Sequence, residues 1–130
     1  MFKHNNQVHY CSDKTVGDFL VGKTEHSLML FDSLMEKFAE IGPIKCYATK
    51  TMIVIAAEVR FAYIIAIGKN FIDVVIPFKI PYEDNFCFRK IAKVPRSDDY
   101  NHHLRMMFAE DLNEEVFDYL KKAYARGKIL

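Results

Sequence analysis

The sequence carries almost no net charge, with 18 Lys and Arg against 17 Asp and Glu for a formal balance of +1. No global field therefore draws the chain toward nucleic acid or an anionic membrane, and any such partner has to be met by a local patch. Long apolar runs are missing too. The most apolar stretch, Met52 to Ile67, is interrupted by Glu58 and Arg60 and is too short to cross a bilayer, so it reads as two strands and no membrane partner is expected. Cysteines are few and odd in number: Cys11, Cys46 and Cys87 are widely spaced, which suits reduced thiols better than a disulfide framework. The opening MFKHNN lacks a charged segment feeding an apolar one and lacks a cleavage pattern, so secretion is not expected and a cytoplasmic location is. Internal repeats and low-complexity tracts are also absent, which excludes repeat architectures.

What is present is enough apolar material for one core. The chain has 130 residues, 51% of them hydrophobic and 27% charged, the profile of one soluble domain spanning 1–130, with a polar tail over 1–12 and the folded body over 13–130. Thr15 and Asp18 have the spacing to cap a short helix through about Val21. Thr24 begins a longer one whose apolar positions Leu28, Phe31, Leu34, Met35, Phe38 and Ile41 share a face, and Gly42-Pro43 ends it. From Ile44 onward β-branched and aromatic runs alternate with short polar breaks. They predict strands over about 44–48, 51–57, 60–67, 70–78, 86–94 and 102–108. Pro77, Pro81 and Tyr82-Glu83-Asp84-Asn85 form a longer loop. A last helix is expected near Asp111, with Glu114 at the reciprocal capping position and Leu112, Val116, Leu120, Ala123 and Tyr124 turned inward, ending at Gly127.

This order predicts an α+β domain: a mainly antiparallel, five- or six-stranded meander sheet with the N-terminal and C-terminal helices packed on one face. In the strand over 70–78, Ile72, Val74, Ile76 and Phe78 make a fully apolar side, and Phe71, Asp73 and Val75 a mixed one. The strands over 51–57 and 60–67 are apolar on both sides, which fits either central positions or a homodimer interface.

Gly17 to Thr24, GDFLVGKT, satisfies the literal phosphate-loop pattern. That chemistry needs a buried strand feeding the loop, and Ser12-Asp13-Lys14-Thr15-Val16 is no such strand. The same residues read as a helix, a glycine stop and a threonine cap. The pair His102-His103 is more informative, because strand alternation gives the two rings opposite fates. His102 sides with Leu104, Met106 and Phe108 as a hydrogen-bonded core or edge histidine. His103 sides with Arg105 on the other face. If the strand over 86–94 is the neighbour, Arg89 and Lys93 join them there in a basic stripe fit for a phosphate or carboxylate, with Arg supplying the planar fork. Lys50 in the first hairpin turn, with Arg60 and Lys69 in the others, widens the positive area; from Pro43 to Arg105 there are 10 Lys or Arg against 6 Asp or Glu. The bland alternative is a solvated sheet face. Cys46 and Cys87 read as small buried hydrophobes, Asp73 as a base or a solvated carboxylate, and no paired-carboxylate or nucleophile signature stands out.

Phe19-Leu20 with Gly22-Lys23, Ile41-Gly42-Pro43, Ala48-Thr49-Lys50-Thr51, Arg60-Phe61-Ala62, His102-His103-Leu104-Arg105 and Asp111-Leu112 with Glu114-Glu115-Val116 through Ala123-Tyr124 together resemble an uncharacterised family of bacterial domains. Members occur alone or at the carboxyl end of chains labelled predicted transport proteins, with no established activity. Longer members carry a C-x-x-C pair followed by a segment similar to Asn6-Gln7-x-His9-x-Cys11, which looks like a small zinc knuckle. The resemblance implies that residues 1–12 are a remnant of it, keeping His9 and Cys11 without the other pair, so a zinc site within one chain is not expected. No metal, cofactor or catalytic residue is assigned. The leading expectation is a non-enzymatic binding module engaging an anionic small molecule or nucleic acid through Lys50, Arg89, His103 and Arg105. The alternatives are a small enzyme with His103 as acid or base near Asp73 or Cys87, and a structural or dimerising module built on the apolar strands.

Overall fold

The computed structural model describes residues 14–83 and 87–128. Helix α1 runs over Lys14–Leu20 and α2 over Glu25–Ile41. Gly22 separates them with a φ of +83°, a left-handed conformation that glycine adopts without steric penalty. Thr24 caps α2, its hydroxyl accepting the Ser27 N–H at 3.1 Å and donating to the Lys69 carbonyl at 2.6 Å. The phosphate-loop lookalike is thus a helix, a glycine turn and a cap.

Six strands follow: β1 Lys45–Ala48, β2 Ile53–Ala56, β3 Arg60–Ile67, β4 Ile72–Phe78, β5 Lys90–Lys93 and β6 Tyr100–Met106, then α3 over Glu114–Gly127. The last helix begins later than Asp111 suggests. Asn113 is its cap, while the Asp111 carboxylate accepts the Met107 and Phe108 N–H groups at 2.8 and 3.0 Å in a preceding short 3-10 turn. All strand pairs are antiparallel, in the spatial order β1-β2-β3-β4-β6-β5. Consecutive strands are neighbours through β4. Then β6 returns beside β4 and leaves β5 at the edge.

Cross-strand partners point to the same face, and the register therefore sorts the sheet into two sides. One side takes Cys46, Ile55 and Ala62 in one row, and Ile53, Ile64, Val74 and Leu104 in the next. These side chains are buried with Leu30, Phe31, Leu34, Met35 and Phe38 of α2 and Val116, Leu120 and Ala123 of α3 in one core. Full burial of each Leu, Ile or Phe contributes about 1.5–3 kcal/mol relative to exposure. All three described helices add side chains to this core, so among the described residues the opposite side of the sheet carries no helix. The apolar doublet β2 and β3 occupies interior positions, one of the two roles its composition fits. Cys46 is disulfide-bonded, against the reduced state expected, whereas Cys87 is a free thiol. Spacing along a chain does not report which thiols folding brings together. Among the described residues no helix is long and apolar enough to cross a membrane.

Candidate functional site

Alternation along β6 sends its two histidines to opposite sides, as their sequence context implies. His102 is fully buried on the helix side. Its Nδ1 lies 2.8 Å from the Tyr100 carbonyl and its Nε2 3.0 Å from the Tyr82 N–H, so Nδ1 carries the proton and Nε2 accepts. The rings of Phe78, Tyr82 and Phe88 surround it at centroid distances of 5.0, 5.5 and 4.8 Å. Burial lowers its pKa, and both nitrogens are committed to the backbone.

His103 stands on the helix-free side, in a register row that crosses the whole sheet. The row reads Tyr47, Val54, Tyr63, Val75, His103, Lys90. Val54 and Val75 are only 2% and 5% exposed although no described helix covers them. A shallow cavity of about 400 Å³ opens on this face, lined among others by Tyr63, Val75, Pro77, Asn101 and His103. At one end of it, Asp73 of β4 pairs with Arg105 of β6 across the register. Arg105 grips the carboxylate with both arms, Nε to Oδ1 at 2.7 Å and Nη2 to Oδ2 at 2.9 Å, and Arg89 approaches Oδ2 at 3.8 Å. The bidentate grip raises the Arg105 pKa further and keeps it cationic. Its guanidinium lies 4.0 Å from the Phe71 ring centroid. That ring is packed so closely on Gly68 that an added Cβ would clash with it, so glycine at 68 makes room for the stacking partner.

Arg89, Lys90 and Arg105 against Asp73 leave a local charge of +2. Burial lowers the His103 pKa first, Lys90 and Arg89 lower it further, and Asp73 opposes them. No carboxylate among the described residues pairs with Lys90.

Arg89, His103 and Arg105 are thus gathered on one face. Lys50 is not with them. It sits in the β1–β2 turn, lining a separate cavity with Asp18, Phe19, Ala48 and Thr49, three strand spacings or about 14 Å from β6. Lys93 also departs from the expected stripe: it pairs with Tyr100, on the side of the sheet opposite His103, because the register sets Lys90 rather than Lys93 beside that imidazole. Lys90 is the residue that strand alternation counted from Arg89 misses. Arg89 lies just before β5 and reaches the open face by its length. The thiol of Cys87 packs against the core on the helix side, where burial and then Glu115 push its pKa up to about 11. It offers His103 no nucleophile. Asp73, held by two arginines, is no free base. His9 and Cys11 lie outside the described residues; within them no group of three or more His, Cys, Asp or Glu side chains is arranged to hold a metal.

Residues 16–126 match the model of a family described as a domain of unknown function (DUF5655). No curated protein and no solved structure matches the chain.

Proposed function

We propose that this chain, which belongs to the DUF5655 family, is a non-enzymatic binding module that takes an anionic ligand on the helix-free face of its sheet. Arg89, Lys90, His103 and Arg105 make the contacts. The observation that carries this reading is the convergence of Arg105 and Arg89 on Asp73, with Lys90 beside His103 in the neighbouring register row, at a cavity floored by Tyr63 and Val75. Asp73 fixes the Arg105 guanidinium and draws Arg89 to 3.8 Å but neutralises only one of the three charges. An incoming phosphate or carboxylate then meets positioned donors, which lowers the ordering cost of binding. The imidazole of His103 adds a further donor. Catalysis gains no comparable support, since the one described free thiol is raised in pKa and faces the core.

Thermal unfolding in the presence of inorganic phosphate and pyrophosphate tests the reading. A ligand at about 100 times its Kd stabilises the native state by about 2.7 kcal/mol, a shift of several degrees for a domain of this size. The expected result is such a shift in the native chain, its loss in Arg89→Ala/Lys90→Ala, and its retention in Lys50→Ala. An undiminished shift in both the double variant and Arg105→Ala would remove the site.

A further inference from the structure

We propose that the ligand of the open face is a single-stranded nucleic acid, laid along β4 and β6 and anchored at both ends by a carboxylate that carries two cations. This rests on the anion-binding reading and extends it. The first anchor is Asp73 with Arg105 and Arg89. The second lies at the rim at the opposite end of the same two strands, where Asp99 pairs with Lys79 at 3.2 Å and with Arg126 at 3.2 Å; Lys79 and Arg126 also line a cavity with Lys122 and Ala125 of α3, so this anchor is reached over the end of the sheet. Arg126 also donates to the Pro77 carbonyl, so α3 braces this end of the sheet from behind. Each anchor has one more positive charge than negative, and Lys90 adds another at the first. Arg96 and Asp98, in the turn before Asp99, cancel.

The register fixes the separation. Asp73 faces Arg105 and Phe78 faces Tyr100, so Asp99 falls opposite residue 79. The anchors are therefore six residues apart along β4, about 20 Å at about 3.3 Å per residue. A mononucleotide cannot bridge that span, whereas it suits the lower end, about four nucleotides, of single-strand binding sites. Asp99 also borders the cavity on the open face, together with Asn101, His103, Tyr63 and Val75. The cavity therefore lies between the anchors, and its groups suit bases rather than phosphates. The Tyr63 ring gives a face for stacking, the Asn101 amide and the His103 imidazole give donors and acceptors for base edges, and Val75 gives an apolar floor. A duplex keeps its bases stacked inside and offers nothing to Tyr63. An acidic peptide would use the cations but not the ring.

Fluorescence anisotropy with labelled oligouridylates and oligothymidylates of two, four and eight nucleotides tests the proposal on the native chain, Lys79→Ala, Tyr63→Ala and Tyr63→Phe. The tetramer and octamer are expected to bind at least about tenfold tighter than the dimer, since only they reach both anchors. Lys79→Ala should reduce the slope of log affinity against log salt by about 0.7, the share of one phosphate on a single strand. Tyr63→Ala should weaken the tetramer about tenfold, within the range for one stacked base, while Tyr63→Phe, which keeps the ring, binds as the native chain does. Length-independent binding, or a Lys79→Ala slope equal to the native one, would overturn the two-anchor proposal while the phosphate-induced thermal shift still stands. Inorganic polyphosphate or a duplex bound as tightly as the octamer would overturn it too. Failure to bind any oligonucleotide, together with absence of the thermal shift, would overturn both readings.

Discussion

Replacing His102 with leucine is expected to lower the unfolding free energy by about 2–4 kcal/mol. The side-chain volume is nearly kept, so the effect comes from hydrogen bonds. Leucine leaves the Tyr82 N–H without its acceptor and the Tyr100 carbonyl without its donor inside a ring of aromatic side chains. Each orphaned polar group costs about 1–3 kcal/mol. Glutamine, which offers one donor and one acceptor, should recover part of the loss. The variant also carries a pH signature. Burial holds the folded pKa of His102 below the ordinary 6.5, so the folded chain resists the proton that the unfolded chain accepts. Stability from this residue is fully present above about pH 6.5 and is lost as pH falls through that value toward the lower folded pKa. His103, lowered in the same direction, adds a parallel loss that the variant retains. Urea unfolding at pH 8, 7, 6 and 5.5 should therefore show the gap between native chain and His102→Leu narrowing toward acid. A gap that stays constant would mean that the imidazole is not held neutral by the fold.

Asp73→Asn is expected to move stability and affinity in opposite directions. The amide keeps the shape of the carboxylate but loses the charge that Arg105 grips and Arg89 approaches, so the melting temperature falls. The local charge of the platform rises from +2 to +3. A unit charge about 4 Å away is worth about 1 kcal/mol in water; with the amide oxygen still accepting from Arg105 and keeping it in position, affinity for inorganic phosphate should rise about fivefold at low salt. Salt should erase most of that gain. A face whose ion pairs serve structure alone would lose stability without any gain in affinity, and calorimetric titration at two ionic strengths separates the two cases.

Much of this site follows from alternation alone. Once residues 102–106 are read as a strand, Leu104 and Met106 pull His102 into the core and leave His103 beside Arg105, and the folded chain has that arrangement. Helix α2 was equally legible, because Thr24, the apolar spacing and Gly42-Pro43 mark its two ends and its buried face. Strand order was not. A local pattern records which residues face the same way but not which strand lies alongside, so nothing in the chain foretold that β6 would insert between β4 and β5. The Asp73–Arg105 grip depends on that insertion. The choice of Lys90 over Lys93 beside His103 depends on the starting residue of a four-residue edge strand, and a shift of one residue moves every side chain to the other face. Lys50 joins Arg60 and Lys69 in the sequence pattern because each sits at or beside a hairpin break, while these turns lie at different edges and ends of the sheet. The second anchor was invisible for the same reason: Arg126 belongs to a helix on the far side and meets Asp99 only around the end of β4.

The most direct test of the anion platform is a two-dimensional NMR titration of the native chain with pyrophosphate, following backbone amides together with the arginine Nε–H groups. The largest shifts are expected at Arg89, Lys90, His103 and Arg105, with Tyr63 and Val75 responding next and the helices unchanged. Shifts confined to the helix side of the sheet, or none at concentrations that raise the melting temperature, would contradict it.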